Sequence, residues 1–74
     1  MNKEGKEFIG IVQSIVDEAQ KSISPERRAG FVAFQICMML DDTGEFGDGA
    51  GKFKVVTTKG KRVEFEHHDV YARD

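Results

Sequence analysis

The chain has 74 residues, a net charge of −2, a pI near 5.6 and a mean hydropathy of −0.43. That length holds one small domain of marginal stability, and a single cysteine, Cys37, excludes an intrachain disulfide. The total charge lacks the basic footprint of a wholesale nucleic-acid binder, and no apolar run approaches the roughly 20 residues needed to span a bilayer.

The first residues, "MNKEGKEF", are charged and carry no apolar leader segment. Together with the lone cysteine they point to a reducing cytoplasm. From there a helix is expected over about 4–22. Phe8, Ile9, Ile11, Val12, Ile15, Val16, Ala19 and Ile23 form an i, i+3, i+4, i+7 stripe, with Glu7, Gln13, Asp17, Glu18, Gln20 and Lys21 opposite. Gly5 and Gly10 each cost up to about 1 kcal/mol relative to alanine, so fraying is expected before Phe8.

"SISPERR" reads as a stop and restart. Ser24 is an N-cap residue type, Pro25 suits the first helical position, and Glu26 complements the dipole of a new first turn. A second helix is expected over about 25–41, forming an antiparallel hairpin with the first across the short connection. Within residues 29–40 only Gly30 and Gln35 are not apolar. A helix apolar all round is normally buried on all sides, and one neighbouring helix and one hairpin are a thin cover. The helix is therefore either sandwiched within one chain or packed on a second copy. The second alternative is favoured, with Phe31, Phe34, Gln35 and Met38 as the self-interface of a homodimer. Cys37 reads as a small buried hydrophobe rather than a nucleophile.

Residues 42–51 form an acidic, glycine-rich loop. It fails the EF-hand pattern, because Phe46 occupies the glycine position and Lys52 the closing-glutamate position. It also fails the phosphate-loop pattern, because Ala50 follows Gly49 where lysine is required. Its bland role is a joint, with Gly44 as a helix C-cap and Phe46 pinning the loop to the core. Asp41 and Asp42 nevertheless sit at a helix C-terminus, where acids are unfavourable. That misfit marks Asp41, Asp42, Glu45, Phe46 and Asp48 as a contact for a partner protein.

A two-stranded β-hairpin is expected over about 52–67, with a C-terminal tail over 68–74. A three-residue turn, Thr58-Lys59-Gly60, sets Val55 beside Val63 and Phe53 beside Phe65. It also puts Gly60 where φ must be positive and opposes Lys54 to Glu64 and Lys52 to Glu66. The tail either extends the second strand through Val70 or Tyr71, or frays. His67 and His68 point to opposite faces of a strand, so a zinc site would need pairs such as His68 with Glu66, or His67 with Asp69, brought together by a dimer.

The expected fold is thus α+β, in the order α-α-β-β, its sheet open to completion across a dimer. The expected function is a small cytoplasmic protein-binding module, a regulator, adaptor or inhibitor, acting as a homodimer. A first alternative is a small anionic ligand or nucleotide held at a subunit interface by Arg27, Arg28, Lys54 or Arg62. A second is nucleic-acid binding through the basic hairpin. No coherent catalytic set stands out, and nothing in the sequence calls for a cofactor, a resident metal or a membrane.

Overall fold

The computed structural model describes residues 1–40 and 52–71. Helix α1 spans Lys3–Ser22. Asn2 takes an extended backbone (φ −77°, ψ 178°), and its side-chain oxygen accepts the Gly5 N–H at 2.8 Å. This is an N-cap, and it explains why the helix begins at Lys3 although two early glycines favour fraying. Glu4 adds a favourable charge to the first turn. The helix ends where Ile23 turns extended (φ −115°, ψ 134°), its N–H still donating to the Ala19 carbonyl. Ala19, at the centre of the apolar stripe, is buried at 2% exposure.

Pro25–Arg27 form a 3₁₀ turn with Pro25 at its start and Ser24 before it, the Ser24 side chain making no capping bond. Helix α2 follows over Arg28–Leu40. The restart at Pro25 is therefore a tight turn feeding the helix. Its closing hydrogen bond runs from the Arg27 N–H to the Ser24 carbonyl at 3.0 Å. Packing against α2 comes from two directions, α1 and a second 3₁₀ turn at His67–Tyr71. Met39, at 1% exposure, is the one buried residue of α2, and residues 30–38 are all half-buried.

The expected α+β fold is corrected here. Among the described residues there is no strand, 68% is helical, and the β-hairpin expected over 52–67 is not seen. What forms is the turn alone. Val56 and Arg62 make one isolated antiparallel bridge, the Thr57 N–H donates to the Lys61 carbonyl at 2.7 Å, and the Val63 N–H donates to Val55 at 2.9 Å. Gly60 takes φ +82°, open to glycine and strained for other residues.

The ladder stops because its two arms dock on different helices. Before the turn, Phe53 sets its ring edge-to-face on Phe8 of α1 at 5.4 Å, and Lys52 pairs with Glu7 at 2.8 Å. After the turn, residues 67–71 wind onto α2. Val56 and Val63 stay exposed at 47% and 38%, while Phe53, Val55 and Phe65 are only half-buried, and a two-stranded pair resting on so little buried surface is marginal. The sheet completed across a dimer and the β-ribbon of the nucleic-acid alternative lose their scaffold with the strands. The tail neither extends a strand nor frays up to Tyr71. The loop over 42–51, the Gly44 cap, the helix end at Asp41 and residues 72–74 lie outside the described residues.

Two checks follow from α1. An added Cβ at Gly10 meets nothing within 4 Å, whereas at Gly5 it meets the cap oxygen of Asn2 at 3.2 Å and Met1 Cγ at 2.8 Å. Gly10→Ala should therefore raise stability by up to about 1 kcal/mol, and Asn2→Ala should lower it by about 1 kcal/mol, both read from urea denaturation. The second concerns Glu7, whose carboxyl is held below its ordinary value of 4.5 by the Lys52 hydrogen bond and then by the Lys52 charge. A depressed carboxyl stabilises the fold above its unfolded pKa, and the effect is lost as pH falls through the lowered value. The stability gap between the intact chain and Glu7→Gln should be small at pH 7, because the pair is exposed. It should close as the buffer is taken well below pH 4.5.

Candidate functional site

The joint between α1 and α2 is locked by one side chain. Arg28 turns back on the end of α1, its Nε donating to the Ile23 carbonyl at 2.9 Å and to Ala19 at 3.3 Å, and its Nη2 to Gln20 at 3.3 Å. These carbonyls lie at the C-terminal end of α1, which carries partial negative charge and where intrahelical donors run out after the Ile23 N–H on Ala19. A guanidinium fork suits three carbonyls in a way a lysine ammonium does not.

With the joint fixed, an open groove of about 500 Å³ lies beside it, lined by Ile23, Glu26, Arg27, Gly30, Phe31 and Tyr71. Ile23 is the extended residue that ends α1, and Glu26 and Arg27 come from the 3₁₀ turn. Gly30 and Phe31 come from the first turn of α2. Tyr71 closes the far side, its hydroxyl donating to the Gly30 carbonyl at 3.1 Å and its ring stacked on Phe34 at 5.3 Å. The groove joins aromatic walls to one cation and one anion. That chemistry suits recognition of an apolar or aromatic group beside a charged one, and the volume lies within the range of ligand sites.

The residues singled out in the sequence scatter around this groove. Asp41, Asp42, Glu45, Phe46 and Asp48 lie outside the described residues. Phe31, Phe34, Gln35 and Met38 are half-buried on α2. Phe31 lines the groove, while Phe34 lies under Tyr71 and meets the edge of His67 at 5.0 Å. Of the four cations proposed for a ligand, Arg27 lines the groove and Arg28 is taken up by the helix end. Lys54 and Arg62 belong to the 52–66 segment and are not part of the lining. His67 and His68 are neighbours in a 3₁₀ turn rather than a strand, their rings 5.6 Å apart. His68 Nε2 sits 3.0 Å from Glu66 and 3.9 Å from Asp69, all exposed. Among the described residues no group of three or more His, Cys, Asp or Glu side chains is placed to hold a metal. Cys37 is half-buried on α2.

Tyr71, Gly30 and Ile23 were not singled out as site residues. One signal for Tyr71 is present in the sequence. Asp69 lies three residues after Glu66, and its carboxylate accepts the Glu66 N–H at 3.0 Å while the Asp69 N–H donates to the Glu66 carbonyl. This is half of a capping box, and it starts the turn that delivers Tyr71.

The two adjacent arginines should behave differently. Arg28→Ala should lower stability by about 1–2 kcal/mol through the lost charged hydrogen bonds, whereas Arg27→Ala, on the exposed rim, should change it by no more than about 0.5 kcal/mol. Thermal and urea unfolding of both variants checks the assignment. Comparison of the chain with protein-family models, with characterised proteins and with solved structures finds no match.

Proposed function

We propose that this chain is a small protein-binding module that works as a homodimer, with Phe31, Phe34, Gln35 and Met38 of α2 at the self-interface. One observation carries the reading. Helix α2 has no charged residue in 29–40, yet Met39 is the only one of them that is buried. Apolar surface left partly wet represents free energy that a second copy can recover, at roughly 25 cal/mol per Å² covered.

The stripe also suits meeting its own copy. It presents no charge to repel a like face, and its one polar side chain is an amide. Gln35 can donate and accept, so two copies related by a twofold axis can bond reciprocally. A buried polar pair of that kind fixes register in packed helices. The acidic residues Asp41, Asp42, Glu45 and Asp48 with Phe46 supply the surface for a different, basic partner, supported by charge pattern alone. Among the described residues no helix is long and apolar enough to cross a membrane. The proposed setting in a reducing cytoplasm rests on the lone Cys37. A second reading, a small anionic ligand, has Arg27 beside the Phe31–Tyr71 groove in its favour.

Light scattering across a concentration series tests the first reading. The molar mass should rise to twice the 8.3 kDa of the chain, and Met38→Glu should return it to one copy with helical content unchanged by circular dichroism. A mass of one chain at every concentration would remove the homodimer.

A further inference from the structure

Tyr71 is fixed in place and still presents much of its surface to solvent. Its ring stacks on Phe34 at 5.3 Å and its hydroxyl donates to the Gly30 carbonyl at 3.1 Å, yet the residue is 59% exposed. It lines the groove of about 500 Å³ together with the half-buried Phe31 and Ile23. An aromatic side chain already oriented by a stack and a hydrogen bond loses little freedom when a flat group packs on it, and aromatic pairs gain beyond the area they cover.

The charges in the same groove narrow the class of ligand. Glu26 and Arg27 both line it, both are exposed, and neither is in a salt bridge with another described residue. Their charges cancel, so an outright anion drawn by Arg27 also meets the carboxylate of Glu26. A carboxylate with an ammonium on the adjoining carbon meets both groups in the favourable sense. The carboxylate accepts from the Arg27 guanidinium, whose fork matches it, and the ammonium donates to Glu26. From this charge complementarity and the aromatic wall we infer that the groove is a site for a zwitterionic aromatic amino acid, its ring on Tyr71 and Phe31. The inference rests on the ligand reading rather than the homodimer, and it replaces the anion of that reading with a net-neutral molecule.

Tyr71 is the only tyrosine and the chain has no tryptophan, so tyrosine emission reports the groove wall. The full chain, at one fixed concentration, is titrated with L-phenylalanine, which does not absorb where tyrosine is excited. A second titration uses hydrocinnamate, which has the same ring and carboxylate without the ammonium. The amide resonances of Gly30 and Phe31 are followed on the same samples. The expected result is a saturable change in both signals with L-phenylalanine, and binding about fivefold weaker for hydrocinnamate. Arg27→Ala should weaken L-phenylalanine about fivefold with circular dichroism unchanged, since one exposed ion pair supplies no more than that. L-phenylalanine binding that Arg27→Ala leaves unchanged overturns the amino-acid site. Hydrocinnamate binding as tightly as L-phenylalanine, or more tightly, also overturns it and leaves the anionic ligand standing. No saturable change with either probe overturns both.

Discussion

A helix with no charge over twelve residues has to be covered, and two contacts with it stand out among the described residues. One is α1, which reaches α2 through the face centred on Ala19. The other is a five-residue 3₁₀ turn that sets His67 and Tyr71 against Phe34. The result is a helix touched on two sides and closed on neither, with Met39 alone reaching full burial. Small domains bury a low fraction of their surface in any case. Here the exposed apolar side chains lie elsewhere, at Ile9 and Val16 of α1 and at Val56 and Val63, while the side chains at 30–38 of α2 are half-buried.

The same demand explains the missing sheet. Residues 52–71 face a choice between pairing with themselves and covering helices. Pairing would yield a few more ladder hydrogen bonds, each worth about 1 kcal/mol net. Covering brings Phe53 onto Phe8 and Tyr71 onto Phe34, aromatic contacts that add about 0.5–1.5 kcal/mol each beyond the area they bury. Burial wins, and the ladder is reduced to the turn where geometry is set locally by Gly60.

That outcome shows where the sequence was legible. The 3.6-residue stripe from Phe8 to Ile23 and the charge-free, mostly apolar run of α2 are local patterns, and both helices are readable from them. The turn at Thr58-Lys59-Gly60 is equally local, because parity and a glycine at positive φ decide it. Whether that turn opens into strands is not local. The alternation of Phe53, Val55, Val63 and Phe65 fits a strand, but it records only that these residues seek cover, not where the cover is. The site was half visible for the same reason. Arg27, Phe31 and Phe34 stand out by residue type, whereas Arg28 is withdrawn from ligand binding by carbonyls five to nine residues earlier, a geometry that residue type does not encode. Tyr71 was missed because the Glu66–Asp69 cap is a short signal beside two histidines that suggest metal chemistry.

A few charges secure the joints of the described residues. Arg28 holds the end of α1, Lys52 ties the 52–53 segment to Glu7, and the Glu66–Asp69 bonds shape the last turn. The exposed pairs among them add little energy in water, so their contribution is geometric: they fix where the aromatic rings land. The central stripe of α2 has no such charge, and nothing electrostatic opposes a like face approaching it. Rigid joints around an uncharged, half-covered face are what a self-associating module requires. In the proposed homodimer the joints keep the face in shape before a second copy docks, which lowers the ordering cost of binding. The partial cover limits how much of it is wet in the meantime.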